Sequence, residues 1–123
     1  MELNEYQKQA MTTCMPSSEN FSYMFLNLVG EVGEFASKVA KAIRKDEMLI
    51  GGLDHNDLFY KVPEERYEDV DNELKKEAGD ILWQLSGLCD VMGWSLEEVA
   101  QMNLEKLASR KQRGVIDGSG DDR

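Results

Sequence analysis

Residues 28–35 read LVGEVGEF, and residues 74–81 read LKKEAGDI. Laid over one another, Leu28 falls on Leu74, Glu31 on Glu77, Gly33 on Gly79, Glu34 on Asp80 and Phe35 on Ile81. The offset (77 − 31) is constant at 46 residues. Each stretch sits in a run with helical periodicity and carries the same device: an apolar stripe, two carboxylates at i and i+3, and a glycine between them. At about 100° per residue, Glu31 lies about 60° from Leu28, and Glu34 lies roughly another 60° outward. The same holds for Glu77 and Asp80 against Leu74. A mid-helix glycine costs roughly 1 kcal/mol relative to alanine, and a half-buried carboxylate costs more unless something pairs with it. If the two helices pack by their stripes, the four carboxylates meet along one seam, and Gly33 and Gly79 leave that seam uncrowded.

Before these stretches, residues 3–14 read as a first helix with Leu3, Tyr6, Ala10 and Thr13 or Cys14 at helical spacing. Pro16 and the serines break it, and Ser18 or Asn20 is placed to cap the next helix. That second helix runs from about Phe21 to Arg44, with Phe21, Met24, Leu28, Val32, Phe35, Val39, Ala42 and Ile43 on its apolar face. Residues 45–62 show no clean period, and Gly51-Gly52 is turn chemistry. The segment reads equally as a lid over a site or as a surface insertion. A third helix begins at or after Pro63 and runs to about Met92, with Leu74, Ala78, Ile81, Leu85, Leu88 and Met92 as its stripe and Gly93 as its stop. Ser95 and Glu98 form a capping box for a fourth helix through about Gln112. Its inner side is Leu96, Val99, Ala100, Asn103 and Leu107, and Gly114 is placed to end it. The glycine-rich tail, 114–123, is expected to be loop, frayed unless something binds there. The expected fold is all-α: a single domain over 1–123, a bundle of about four main helices.

The apolar fraction of 41% and charged fraction of 31% suit a soluble, helix-rich domain. A net charge of −10 argues against a nucleic-acid polymer as partner, since gripping a phosphate backbone needs clustered Lys and Arg. It leaves room for a small phosphorylated substrate bridged by cations. Cys14 and Cys89 form no C-x-x-C pattern, so reduced thiols and a cytoplasmic setting are expected. No signal-peptide pattern is visible at the N-terminus, and no apolar run approaches the roughly 20 residues that span a membrane.

Four converging carboxylates repel one another and either raise each other's pKa or require cations. Oxygen-only ligands fit Mg²⁺ or Mn²⁺ better than zinc or iron. His55 is the only histidine, and neither helix has a Glu-x-x-His pair, which disfavours a di-iron site. Glu-x-x-Glu also occurs on solvated helix faces, but two such pairs, each flanking a stripe and enclosing glycine, point to a metal. On the fourth helix, Lys106, Arg110 and Arg113 follow Asn103 on one stripe. The helix macrodipole accounts for cations in the last turn, but less well for Asn103 and Lys106. Such a stripe beside a metal site suits a polyphosphate ligand.

The motifs GEVGEF and ELKKEAGDILWQL resemble the Glu-x-x-Glu and Glu-x-x-Asp signature of the MazG-like nucleoside triphosphate pyrophosphohydrolases, an all-α superfamily. The ending SLEEVAQMNLEKLASRKQRGVIDGSGDDR and the opening NEYQKQAMTT are similar to one branch of it. The resemblance spans most of the chain and is weakest over 45–70. Many members carry a further Glu where this chain has Gly30. The resemblance implies Mg²⁺-dependent hydrolysis of an NTP or dNTP to the monophosphate and pyrophosphate, by water attacking the α-phosphorus. It implies Glu31, Glu34, Glu77 and Asp80 as metal ligands, with Glu34 as general base. It further implies that Asn103, Lys106 and Arg110 hold phosphates, with Lys38 and Arg123 as helpers. Trp83, off the apolar stripe, reads either as a base-stacking residue or as an interface residue. The family fold implies a homodimer or tetramer, which agrees with apolar stripes that one chain barely encloses. Nucleotide-pool cleansing is the implied role. The competing reading is a non-catalytic helical oligomerisation module that binds a nucleotide or a metal.

Overall fold

Asn20 starts the longest uninterrupted feature of the N-terminal half. Its backbone is extended, and its side-chain oxygen accepts the Tyr23 N–H at 2.8 Å, which meets one of the helix's orphan donors. In the computed structural model of the chain, which describes residues 1–52 and 56–121, that helix spans Phe21–Arg44. With α1 as Leu3–Met11, it is α2. Two short strands follow, β1 (Met48–Ile50) and β2 (Leu58–Tyr60), then α3 (Tyr67–Val91) and α4 (Leu96–Gln112). Single 3₁₀ turns at Pro16–Ser18 and Glu64–Arg66 lead into α2 and α3. The fold is thus all-α, a four-helix arrangement with one small hairpin.

The two long helices form the frame. Lys38 of α2 meets Glu73 of α3, and Met24 of α2 packs on Gly87 of α3. Fourteen residues back along α2 is fourteen forward along α3, so the pair is antiparallel and in strict register. Gly87 makes room for Met24 at the crossing point: a Cβ there would lie 2.4 Å from Met24 Sδ and force that side chain to shift. Met24 is wholly buried in return.

The third helix is covered from two directions, by α2 and by α1 with α4. This corrects the expected stripe. The buried residues of α3 are Leu74, Glu77, Gln84, Ser86, Gly87 and Cys89, whereas Met92 is exposed. Small and polar residues take the positions where helices approach closely, and the larger apolar ones stand at the margins.

The first helix is shorter than the expected 3–14. The Thr12 and Thr13 amides turn back to Gln9 O and Ala10 O in i→i−3 bonds, and their hydroxyls donate to the same two carbonyls, so the α-helix closes there. From α1, the buried Gln7 clamps the turn between α3 and α4. Its amide donates to Trp94 O at 3.0 Å, and its carbonyl accepts the Leu96 N–H at 2.8 Å. Ser95 Oγ accepts the Glu98 N–H at 3.1 Å, as its capping position predicts. Gly93 and Gly114 adopt positive φ (72° and 70°) and end α3 and α4.

The described parts of 45–62 carry regular structure that their sequence does not suggest. Strands β1 and β2 pair antiparallel, Met48 with Tyr60, Leu49 with Phe59 and Ile50 with Leu58. Tyr60 Oη donates to Asp71 at 2.8 Å, which ties the hairpin to α3. His55, part of the same insertion, lies outside the described residues.

The described residues of the tail fold back onto α4. Arg110, buried on α4, donates from Nη2 to Gly120 O at 3.3 Å and to Asp121 Oδ1 at 3.1 Å, while Lys106 Nζ reaches the same Oδ1 at 3.2 Å. The expectation of a frayed end is corrected: an Asp draws the chain back over the cations of α4.

Candidate metal and nucleotide site

The register of the long helices decides what the repeated device becomes. Carried along from Lys38 opposite Glu73, it sets Glu34 opposite Glu77 and Glu31 opposite Asp80. Antiparallel packing therefore turns a tandem sequence repeat into a roughly twofold arrangement about one seam.

Glu31, Glu34 and Glu77 each offer an oxygen, and these oxygens all lie within 4.8 Å of one another. Glu77 is buried, Glu31 half-buried and Glu34 exposed. Asp80, the fourth expected ligand, stands outside this tight group and is exposed, but its charge acts on both Glu31 and Tyr6. The Glu31 carboxyl is pushed above the ordinary carboxylate range by burial first, then by the charges of Glu34, Asp80 and Glu77.

Two oxygens in the seam are buried without a hydrogen-bond partner, Oε2 of Glu31 and Oε2 of Glu77. A buried acceptor left unmet costs on the order of 1–3 kcal/mol. An all-oxygen set with two unmet acceptors fits a hard divalent cation. A Cβ on Gly33 or Gly79 would meet nothing within 4 Å, so no contact inside the chain demands glycine at either position.

One cation is already at the seam. Lys38 Nζ lies 2.7 Å from Glu77 Oε1 and 3.2 Å from Glu73 Oε2. These two bonds raise the lysine's pKa, Glu77 contributing first. The link was legible in part: Lys38 follows Glu31 and Glu34 on one helical face, and Glu73 precedes Glu77 by four. Glu73 itself was not singled out from the sequence.

The remaining expected residues lie elsewhere. Asn103 and Lys106 line a groove of about 600 Å³ on α4, together with Trp94, Glu98, Val99 and Met102. None of the seam carboxylates lines it. Arg110 is spent on the tail, with its Nε buried and unpaired. The Trp83 indole N–H donates to Ala10 O at 3.1 Å and Thr13 Oγ1 at 2.9 Å, so this side chain fastens the end of α1. That tie is a third role beside the two expected for it. Arg123 lies outside the described residues. Among the described residues, no helix is long and apolar enough to cross a membrane.

Fold and seam together define an all-α bundle protein with a carboxylate cluster between its two long helices. The model of the MazG nucleotide pyrophosphohydrolase domain matches residues 19–115, and the chain belongs to that family. It is similar to the Gene 37 protein of Mycobacterium phage L5, at 39% identity over 107 residues, covering 87% of this chain and 80% of that protein. No solved structure matches.

Proposed function

We propose that the chain hydrolyses a nucleoside or deoxynucleoside triphosphate to the monophosphate and pyrophosphate. In this reading Glu31, Glu34 and Glu77 hold Mg²⁺, with Mn²⁺ as a substitute, and Asp80 at the edge of the seam serves as the fourth ligand. The observation that carries it is the pair of buried, unpartnered oxygens on Glu31 and Glu77 beside an exposed Glu34. Stability alone gives no reason to bury acceptors unmet. When bound, the metal would polarise the phosphates and lower the pKa of an attacking water.

The residues of the chain divide the other tasks. Lys38 fixes the Glu77 carboxylate through Oε1 and leaves Oε2 directed elsewhere. Glu34, the most exposed of the three, is the carboxylate placed to take a proton from water. Asn103 and Lys106 bind phosphate oxygens. Arg110 is a positioning residue, because it holds the Asp121 carboxylate that also meets Lys106. In one chain none of the seam carboxylates lines the α4 groove. We therefore infer a homodimer or tetramer in which α4 of one subunit meets the seam of another. Exposed apolar side chains support it: Leu26, Val29 and Val32 on α2, and Met102 and Leu104 on α4, each at least half exposed. A soluble, cytoplasmic enzyme that cleanses the nucleotide pool is the setting this chemistry suits.

The test is pyrophosphate release from a panel of NTPs and dNTPs with Mg²⁺. Release from at least one is expected, abolished by EDTA and by Glu34→Gln or Asp80→Asn. Silence across the panel, or undiminished release by either variant, would sink the catalytic reading.

A further inference from the structure

Positive charge is scarce in this chain, yet it gathers at one place away from α4. Lys38, Lys41 and Lys45 follow at i, i+3 and i+7 along the end of α2. With Arg66, Glu47 and Glu73 they line a cavity of about 270 Å³ bounded by β1 and the start of α3. Four cations against two carboxylates leave that lining at +2, in a chain whose net charge is −10.

The ion pairs do not use up this charge. Lys38 is bound to Glu73 and Glu77, and Arg66 reaches Glu47 only at 3.7 Å. Lys41 and Lys45 have no ion pair among the described residues. The macrodipole favours lysine at a helix C-terminus, but like charges at i and i+4 oppose each other. Lys41 and Lys45 have that spacing, so they repel each other at the rim of a cavity whose floor is the buried Met48 and Leu74. An anion with two or more charges would relieve it. The volume falls just below the usual range for ligand sites, too small for most whole drug-sized molecules. The hairpin builds one wall, so the cavity belongs to the segment where the chain departs most from the MazG-like pattern.

We propose that this cavity is an oxyanion site for a small multivalent phosphate, either free pyrophosphate or the phosphate end of a larger molecule. It is separate from the α4 groove and needs no metal. Lys41 and Lys45 supply the binding charge, and Arg66 closes the side facing α3.

Pyrophosphate titrated calorimetrically into the full chain in EDTA tests this, because the carboxylate seam then holds no divalent cation. Saturable binding is expected, weakened at least tenfold in the double variant Lys41→Gln/Lys45→Gln. It should be unchanged in Glu34→Gln and Lys106→Gln, which separates this site from the proposed catalytic one. Both lysines are exposed and unpaired, so the double variant should keep the circular dichroism spectrum and the anion-free Tm of the wild type. A nucleoside triphosphate in the same buffer separates the sources: lysine-dependent binding means that the site accepts a phosphate tail, and lysine-dependent binding of pyrophosphate alone means that it takes the free anion. No saturable pyrophosphate binding, or equal affinity in the double variant, would overturn the proposal.

Discussion

Lys38 of α2 holds the buried Glu77 of α3 at 2.7 Å, so the seam between the long helices is cross-linked by charge at one of its own candidate ligands. The lysine and a bound cation would neutralise the same carboxylate. Removing Lys38 should therefore act in opposite directions on the apo and metal-bound states. Lys38→Met should lower the Tm in EDTA and strengthen Mg²⁺ binding, roughly two- to tenfold for one nearby charge removed. Melting curves and metal titration calorimetry check both signs. Weaker Mg²⁺ binding in the variant would show that Lys38 does not compete with a metal.

Acid should stabilise the metal-free protein through Glu31. Its folded carboxyl is raised above the ordinary 4.5, by burial first and then by Glu34, Asp80 and Glu77. The folded chain thus binds that proton more tightly than the unfolded chain does. The resulting stability is fully present below 4.5 and is lost as pH rises through the raised value. In EDTA, the wild-type Tm should fall relative to that of Glu31→Gln across that window. The Tm gain on adding Mg²⁺ should grow over the same window, because the metal takes the ionised form. Parallel pH profiles for the two proteins would contradict this.

Three glycines should separate packing from function. Gly87→Ala drives a Cβ into Met24, which is wholly buried, and should cost about 1–3 kcal/mol in urea unfolding. Gly33→Ala and Gly79→Ala meet nothing inside the chain and should each add up to about 1 kcal/mol through helix propensity. If those two glycines clear space for a ligand, pyrophosphate release should nonetheless fall tenfold or more. Stabilised variants with full activity would remove that role.

The exposed side chains of α2 should be covered in solution. Leu26 and Val29 are 67% and 60% exposed in one chain. Sedimentation velocity should give a dimer or tetramer for the wild type and a smaller species for Leu26→Asp/Val29→Asp. A monomeric wild type would leave the α4 groove without a seam to meet.

Local signals carried well from sequence to structure. Asn20, Ser95, Gly93 and Gly114 mark helix ends through their own side chains or φ angles, and α2 runs over the residues expected. The carboxylate device was visible as a repeat, because helical period and spacing are local. Its antiparallel pairing was not visible, since register depends on Met24 finding Gly87. The hairpin escaped because three-residue strands are too short to show alternation and depend on a partner ten residues away. The fold-back of Asp121 onto Lys106 and Arg110, the Gln7 clamp and the Trp83 tie are tertiary bonds between residues that look unremarkable in their own neighbourhoods. The burial of Glu77 is the sharpest such case: its helical position marks only a stripe margin, and α2 with Lys38 supplies the rest.

The most direct test of the central claim is product analysis by phosphorus NMR, with Mg²⁺ and the nucleoside triphosphate that the release assay selects. Monophosphate and pyrophosphate in equal amounts are expected from the wild type, and unchanged substrate with Glu77→Gln. Diphosphate with orthophosphate, or the same products at the same rate from Glu77→Gln, would contradict it.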